Sequence, residues 1–212
     1  MKNKPYLLVI GNSNVGKSSI TRLLLPNPKL YKGKAGKQPG STLLVKTVDF
    51  PHMPYKIVDL PGFGYMKSSS RRREEHIKKQ LVLHIEKHHD EYFFGLVVLN
   101  ILRIEDELQK YYINKKTTIP LTFELISLLQ EFEIPLIVIL NKIDKVSVFD
   151  KKRIILLLLN SAKDYGINII PITDEEIRIY EKIPYLEFSA TKKTNLTKLK
   201  TIIQQKLNQI SN

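Results

Sequence analysis

The chain has 212 residues, of which 34 are Lys or Arg and 21 are Asp or Glu, so its formal net charge is +13. It contains no cysteine, which excludes disulfide scaffolds, Cys-ligated zinc, iron–sulfur clusters and thiol nucleophiles. Hydrophobic residues make up 42%, as in globular proteins, and no apolar run reaches the roughly 18 residues that a membrane-spanning helix needs. The first residues, Met1-Lys-Asn-Lys-Pro5, are not typical of a secretion signal, so we expect a cytoplasmic protein.

Short apolar runs alternate with amphipathic stretches along the chain. The apolar runs predict strands at 6–10, 43–50, 55–60, 94–99, 135–140 and 185–188, with a hairpin turn at Pro51-His-Met-Pro54. The amphipathic stretches predict helices at 17–25, 70–89, 118–132, 150–163 and 195–210. This alternation predicts an α/β fold, with a mostly parallel sheet and helices on both faces. Segments 103–118 and 167–183 fit least well, and we interpret both as elaborations of one domain, the second with room for an extra strand.

The positive charge is concentrated near the two ends of the chain. Residues 1–48 contain nine Lys or Arg and residues 188–212 contain five Lys, and neither segment contains Asp or Glu. This distribution favours a basic face that binds a polyanion such as nucleic acid. A lysine-rich solvated surface explains the charge equally well, so charge alone leaves both interpretations open.

A glycine-rich motif follows the first predicted strand and opens the first predicted helix. Its pattern, G-x-x-x-x-G-K-S in this setting, is that of a phosphate-binding loop. Glycines let backbone amides surround phosphate oxygens, and the following helix adds the positive end of its dipole. We predict that Lys17 reaches the β- and γ-phosphates and that the Ser18 hydroxyl binds Mg²⁺. The motif consists of Gly11, Asn12, Ser13, Asn14, Val15, Gly16, Lys17 and Ser18.

A second motif, which consists of Asp59, Leu60, Pro61 and Gly62, closes the third predicted strand. We predict that Asp59 holds Mg²⁺ through a water molecule and that the Gly62 amide contacts the γ-phosphate. On its own, Asp-x-Pro-Gly is usually a simple turn. The functional interpretation depends on the position of this motif after the phosphate motif in the sequence.

The last two motifs indicate which nucleotide base the predicted site binds. A carboxylate at Asp144 can accept both N1–H and the exocyclic amine of guanine, which adenine cannot supply together. Asn141 can bond the base and brace the phosphate loop, while the Lys142 stem covers the base plane and the Ala190 amide serves guanine O6. In isolation, Asp144 would equally well cap a helix. In order along the chain, the four motifs predict a GTP site at the carboxyl ends of the strands. The two base motifs are Asn141, Lys142, Ile143 and Asp144, and then Ser189, Ala190 and Thr191.

The whole set resembles the EngB (YihA-type) ribosome-assembly GTPases, over essentially the full chain. The resemblance implies a P-loop NTPase G domain over residues 1–212, with a six-stranded, mostly parallel sheet that has one antiparallel strand. It implies GTP or GDP and Mg²⁺ as ligands, and the large ribosomal subunit or its rRNA as partner. We expect a monomer that does not bind membranes. The residues that carry the resemblance are the phosphate motif extended to Ser19, Pro39, Gly40, Ser41, Thr42, Asp59-Leu-Pro-Gly-Phe-Gly-Tyr65, Asn141-Lys-Ile-Asp-Lys145 and Phe188-Ser-Ala190.

Two roles follow from the resemblance alone. Thr42 belongs to the first switch of such proteins, where it completes Mg²⁺ coordination when GTP is bound. We therefore expect Thr42 to act in catalysis together with Lys17 and Gly62. Asn14 matches the Asn that binds a potassium ion in related GTPases.

The sequence also departs from the usual pattern of these GTPases. Asn12 and Ser41 stand where the family usually has Arg, which puts the particular ribosomal partner in doubt but removes no phosphate or guanine contact. Phe63 follows Gly62, where many GTPases have a Gln that orients the attacking water. We expect slow hydrolysis that potassium or a partner stimulates. The alternative is a GTP-dependent RNA-binding switch with negligible hydrolysis of its own. The Arg triplet 71–73 is either an RNA contact or a solvated helix start.

Two other classes of protein fit the sequence poorly. A membrane-anchored signalling GTPase would need a lipidation signal, but the chain has no cysteine and its second residue is Lys2, not the glycine that myristoylation requires. A metabolic kinase that uses ATP is disfavoured by Asp144, because that carboxylate is suited to guanine.

Overall fold

The computed structural model describes residues 4–31, 45–62, 71–113, 119–172 and 182–211. The strands within these residues form one seven-stranded sheet: β1 (Tyr6–Ile10), β2 (Lys46–Val48), β3 (Lys56–Asp59), β4 (Tyr92–Asn100), β5 (Leu136–Asn141), β6 (Ile169–Pro171) and β7 (Ile183–Glu187). Their order across the sheet is β2-β3-β1-β4-β5-β7-β6. Within this sheet only β2 runs antiparallel to its neighbour, so the carboxyl ends of the other six strands share one edge.

Helices connect these strands. In the described part of the chain they are α1 (Lys17–Leu24), α2 (Arg71–His88), α3 (Ile101–Leu108), α4 (Leu121–Glu131), α5 (Val148–Asp164) and α6 (Leu196–Ser211). A π-helical turn over Gln109–Ile113 continues α3. Within the described residues, none of these helices combines the length and the apolar character needed to cross a membrane.

The central strands are buried on both faces. All nine residues of β4 and all six of β5 are buried, and β1 lies between β3 and β4. Parallel strands that helices cover on both sides are apolar at nearly every position. These strands could therefore be predicted from the sequence. The edge strand β2 is half-buried or exposed along its length.

Each face of the sheet carries its own apolar core. One core contains Leu81 and Ile85 of α2, Ile104 of α3, Phe123 of α4 and Ile154 of α5. The other contains Ile20 and Leu24 of α1 together with Leu199 and Ile203 of α6. The first and last helices, which belong to the two lysine-rich segments of the chain, therefore pack on the same face of the sheet.

The predicted fold class is confirmed, with a mostly parallel sheet, one antiparallel strand and helices on both faces. The prediction of six strands was wrong, because β6 forms within segment 167–183 and extends the sheet beside β7. Segment 103–118 also contains more structure than predicted. Ile101, Ile104 and Leu108 are buried at helical spacing in α3, and the Asn100 side chain accepts a hydrogen bond from the Leu102 N–H (3.2 Å) at the start of that helix.

Several sequence predictions concern residues outside the described part of the chain. These are Pro39, Gly40, Ser41 and Thr42 of the first switch, and residues 63–70, which include Phe63. The Arg triplet 71–73 belongs to α2, and only its backbone is described.

Candidate functional site

The four sequence motifs converge at the carboxyl edge of the sheet. Gly11 directly follows β1, Asp59 is the last residue of β3, and Asn141 is the last residue of β5. Ser189 comes two residues after β7. Because these strands are parallel, their ends lie at one edge, which is where open α/β sheets bind ligands.

The loop between β1 and α1 has a backbone that only glycine accommodates at two positions. Gly11 has φ +149° and Gly16 has φ +106°, which are conformations that L side chains rarely adopt. A Cβ atom on Gly11 would lie 2.2 Å from the Val98 carbonyl oxygen, and one on Gly16 would lie 2.2 Å from Asn141 Nδ2. The loop is thus pressed against the sheet on one side and against the Asn141 side chain on the other.

Lys17 places a buried ammonium group inside this loop. Its Nζ donates hydrogen bonds to the carbonyl oxygens of Gly11 and Asn12, both at 2.9 Å. Burial lowers the pKa of Lys17 to about 8, although the nearby Asp59 carboxylate favours the charged form. A phosphate group in the loop would give this cation a stronger partner than two carbonyl groups.

Asp59 is a buried carboxylate beside the start of α1. Its Oδ2 accepts hydrogen bonds from the Ser18 hydroxyl (3.3 Å) and from the Tyr31 hydroxyl (2.8 Å). Burial raises the pKa of Asp59, and the Lys17 charge is the largest opposing influence. A hydroxyl and a carboxylate side by side are hard oxygen ligands, so Ser18 and Asp59 fit a magnesium ion. The third predicted ligand, Thr42, lies outside the described residues.

Gly62 lies directly against the phosphate loop. A Cβ atom at this position would be 2.8 Å from Lys17 Nζ and 2.9 Å from the Cα of Ser13. The Ser13 hydroxyl donates a hydrogen bond to the Gly62 carbonyl oxygen at 3.2 Å. The Asp59 motif and the phosphate loop therefore form one continuous surface around the Lys17 ammonium.

Asn141 joins the phosphate loop to the motif after β7. Its Nδ2 donates to the Val15 carbonyl oxygen at 2.8 Å, and its Oδ1 accepts from the Ala190 amide at 3.1 Å. Lys142 has a left-handed backbone (φ +67°), and its Nζ donates to the Asn14 carbonyl oxygen at 2.8 Å. The Ala190 amide, predicted to serve guanine O6, is bonded to Asn141 in this structure.

Asp144 combines one anchored carboxylate oxygen with one that has no hydrogen-bond partner among the described residues. Ser189 donates its hydroxyl to Asp144 Oδ1 at 2.7 Å, and this bond holds the pKa of Asp144 below its usual range. Oδ2 is buried and accepts no hydrogen bond from the described residues, while Lys145 Nζ lies 3.8 Å away. An ionised carboxylate with spare acceptor capacity is suited to a ligand with two adjacent N–H donors.

Other predicted site residues lie in the core or at the surface. Leu60, Val15 and Phe188 are buried in the two apolar cores and support the loops that they belong to. Pro61 and Ile143 are half-buried, and Asn14 and Ser19 are exposed.

Sequence reasoning missed two residues that contact the site. Tyr31 donates to Asp59, as described above. Glu107 of α3 accepts hydrogen bonds from Asn12 Nδ2 (3.2 Å) and from the Thr122 amide (2.9 Å), and burial raises its pKa. No local pattern marks either residue, since Asn12 and Glu107 are 95 positions apart.

Comparison with known proteins identifies the family. The family model described as 50S ribosome-binding GTPase matches residues 6–142. A probable GTP-binding protein EngB from Halobacterium salinarum is 32% identical over 146 residues, which are 69% of this chain and 68% of that protein. The chain belongs to the EngB family of 50S ribosome-binding GTPases.

Further relatives agree with this assignment. The probable GTP-binding protein EngB from Methanococcus aeolicus is 31% identical over 72% of this chain, which spans 64% of that protein. The match to the Methanococcus maripaludis protein spans 59% of its length. The crystal structure of a probable GTP-binding protein engB superposes with a TM-score of 0.75 at 25% identity, covering 96% of this chain and 99% of that one.

The close fit between Gly16 and Asn141 leads to a prediction for Gly16→Ala. The added methyl group meets Asn141 Nδ2 and also forces an alanine into a glycine conformation, so we expect a loss of at least about 2 kcal/mol in the free energy of unfolding. The matched control is Gly166→Ala, where φ is +73° but no atom lies within 4 Å of the new methyl group. Here we expect a loss of about 1 kcal/mol. Urea unfolding measures both variants, and equal losses would contradict the proposed contact with Asn141.

Proposed function

We propose that this EngB-family protein is a cytoplasmic GTPase that hydrolyses GTP slowly and acts in assembly of the large ribosomal subunit. The observation that carries the proposal is the Asp144 carboxylate. It is ionised, anchored by Ser189, and has a buried oxygen without a hydrogen-bond partner among the described residues. Asn141 and Lys142 both bond to the phosphate loop, so this carboxylate is held at a fixed place relative to that loop.

Guanine recognition follows from the chemistry of this carboxylate. Guanine presents N1–H and its exocyclic amine on one edge, and both can donate to a single carboxylate. Adenine has an acceptor at N1, which would face the negative oxygen without a proton between them. Discrimination by buried polar groups of this kind is strong, because the wrong base leaves a charge unpaired.

The phosphates would occupy the loop between β1 and α1. Lys17 would exchange its two carbonyl partners for phosphate oxygens, and the amide of Gly62 would face the γ-phosphate. Ser18, Asp59 through a water molecule, and Thr42 would hold Mg²⁺, which neutralises the charge that develops on the phosphate oxygens. Lys17, Thr42 and Gly62 are thus the residues that we assign to catalysis.

Slow hydrolysis is proposed because Phe63 replaces the Gln that usually orients the attacking water. A phenyl ring cannot accept a hydrogen bond from that water, so another group must complete the site. We propose that a potassium ion at Asn14 or contact with the ribosome does so. Asn14 is exposed at the outer edge of the phosphate loop, where an ion can reach its side chain.

A basic surface beside the base motif supports RNA as the partner. Lys192 and Lys193 are exposed in the turn that follows Ala190, and the Lys192 amide donates to the Ser189 hydroxyl at 3.0 Å. Phosphate contacts by exposed lysines supply most of the salt-dependent affinity for nucleic acid. Because this turn also carries the base motif, RNA affinity can respond to the bound nucleotide.

Single-turnover hydrolysis of GTP tests the proposed activity. We expect a rate at least about tenfold higher in potassium than in sodium, or with purified large subunits than without them, because either would complete the unfinished site. The Asn14→Ala variant should keep GTP binding but lose the potassium effect. Bound GTP that stays intact under every condition would contradict enzymatic activity and favour the GTP-dependent RNA-binding switch. Equal rates in sodium and potassium would rule out the potassium site.

Sedimentation with ribosomal subunits tests the proposed partner. We expect the protein to pellet with large but not small subunits, and more with a non-hydrolysable GTP analogue than with GDP. Replacing Lys192 and Lys193 by Ala should weaken binding and reduce the slope of log affinity against log salt by about 1–2. The matched control replaces Lys79 and Lys87, which are exposed on α2 on the opposite face of the sheet. Equal association with large subunits in GDP and in the GTP analogue would contradict the proposed partner. It would not contradict GTP binding.

A further inference from the structure

Tyr31 is a buried phenol whose hydroxyl is bonded to the predicted metal-binding carboxylate. The side chain is 7% exposed and packs in the same core as α1 and β3 residues. Its hydroxyl donates to Asp59 Oδ2 at 2.8 Å, and the guanidinium carbon of Arg22 lies 5.6 Å from the centre of its ring. Burial raises the pKa of Tyr31 to about 12, so the phenol stays protonated and keeps its hydrogen to donate.

The oxygen that Tyr31 bonds is the one nearest to the proposed magnesium ligand. Asp59 Oδ2 also accepts from the Ser18 hydroxyl at 3.3 Å, so two donors already occupy the two lone pairs of this oxygen. Ser18 Oγ would be a direct ligand of a magnesium ion, and the ion would keep water ligands next to that oxygen. A water on the Asp59 side would meet Oδ2 first, because Oδ2 is the carboxylate oxygen that faces Ser18. The Tyr31 hydroxyl and this water compete for one site.

We propose that Tyr31 opposes magnesium binding, because its hydroxyl occupies on Asp59 the place that a metal-bound water takes. This inference rests on the proposed function and concerns the same site. Without the metal, the bond to Tyr31 gives this buried carboxylate a second donor beside the Ser18 hydroxyl. With the metal, the bond must break. By linkage, metal binding releases the Tyr31 hydroxyl to the same extent that the hydroxyl weakens metal binding.

The Tyr31→Phe variant tests this proposal, because it removes the hydroxyl and keeps the ring in the core. We expect the metal-free variant to melt at a lower temperature than the unmodified protein. We also expect its magnesium midpoint to fall by about tenfold or more, as for removal of one hydrogen bond to a charged group. The midpoint is measured as the Mg²⁺ concentration that half-suppresses dissociation of a fluorescent GDP analogue, which reports metal binding without turnover.

A positioning role for Tyr31 predicts the opposite result. If the hydroxyl aims Asp59 at the metal, Tyr31→Phe raises the midpoint, and this outcome overturns the proposal, as does an unchanged midpoint. Tyr55→Phe is the matched control, since Tyr55 is a buried tyrosine of the same core. It should leave the midpoint unchanged. In an Asp59→Asn background, the effect of Tyr31→Phe on the midpoint should disappear, and a persisting effect would contradict competition at Asp59.

Nucleotide binding separates failure of the proposed function from failure of the Tyr31 proposal. Failure of the unmodified protein to bind the GDP analogue overturns the proposed function and this inference together. Nucleotide binding with an unchanged midpoint overturns the Tyr31 proposal alone. Should Tyr31→Phe fail to fold, 3-fluorotyrosine placed at position 31 gives a second measurement. Its ¹⁹F resonance should shift when Mg²⁺ is added to the GDP-bound protein. An unchanged chemical shift would overturn the proposal.

Discussion

The candidate site depends on the side chain of Asn141. One amide group donates to the Val15 carbonyl oxygen in the phosphate loop and accepts from the Ala190 amide after β7. Both bonds are needed because the loop and the β7 motif come from separate strands with no covalent link nearby. Gly16 is required for the same reason, since the Asn141 amide occupies the space that any other side chain at that position would fill. One buried amide thus ties the phosphate loop to the motif after β7.

The electrostatics of the site follow from this framework. Lys17 and Asp59 are both buried near the start of α1, where burial alone would disfavour the charge on each. Each charge offsets part of the desolvation of the other, and the hydroxyl groups of Ser18 and Tyr31 support the carboxylate. A magnesium nucleotide would replace these internal partners with a phosphate and a metal. Binding therefore rearranges bonds that already exist, which is the basis for the opposing role of Tyr31.

The sequence predicted the elements that are buried on both faces and the motifs at their ends. β1 was predicted with its observed bounds, because Tyr6–Ile10 is apolar throughout and Gly11 ends it. Ile169–Pro171 was missed as a defined strand because three residues carry no periodicity, and only pairing with β7 makes them one. Tyr31 and Glu107 were missed for a related reason: their partners are distant in sequence, and the contacts arise only from tertiary packing. The lysine-rich ends are evident from the sequence, and the structure adds that α1 and α6, which belong to them, pack on one face of the sheet.

The central claim is that this site selects guanine through Asp144. Isothermal titration calorimetry of the purified protein with GTP and with ATP, each in the presence of Mg²⁺, tests it most directly. The account predicts that GTP binds at least about a hundredfold tighter than ATP. It also predicts that Asp144→Asn loses affinity for GTP and gains affinity for xanthosine triphosphate, which has an oxygen in place of the exocyclic amine. Equal affinity for GTP and ATP, or an Asp144→Asn variant that binds GTP as well as the unmodified protein does, would contradict it.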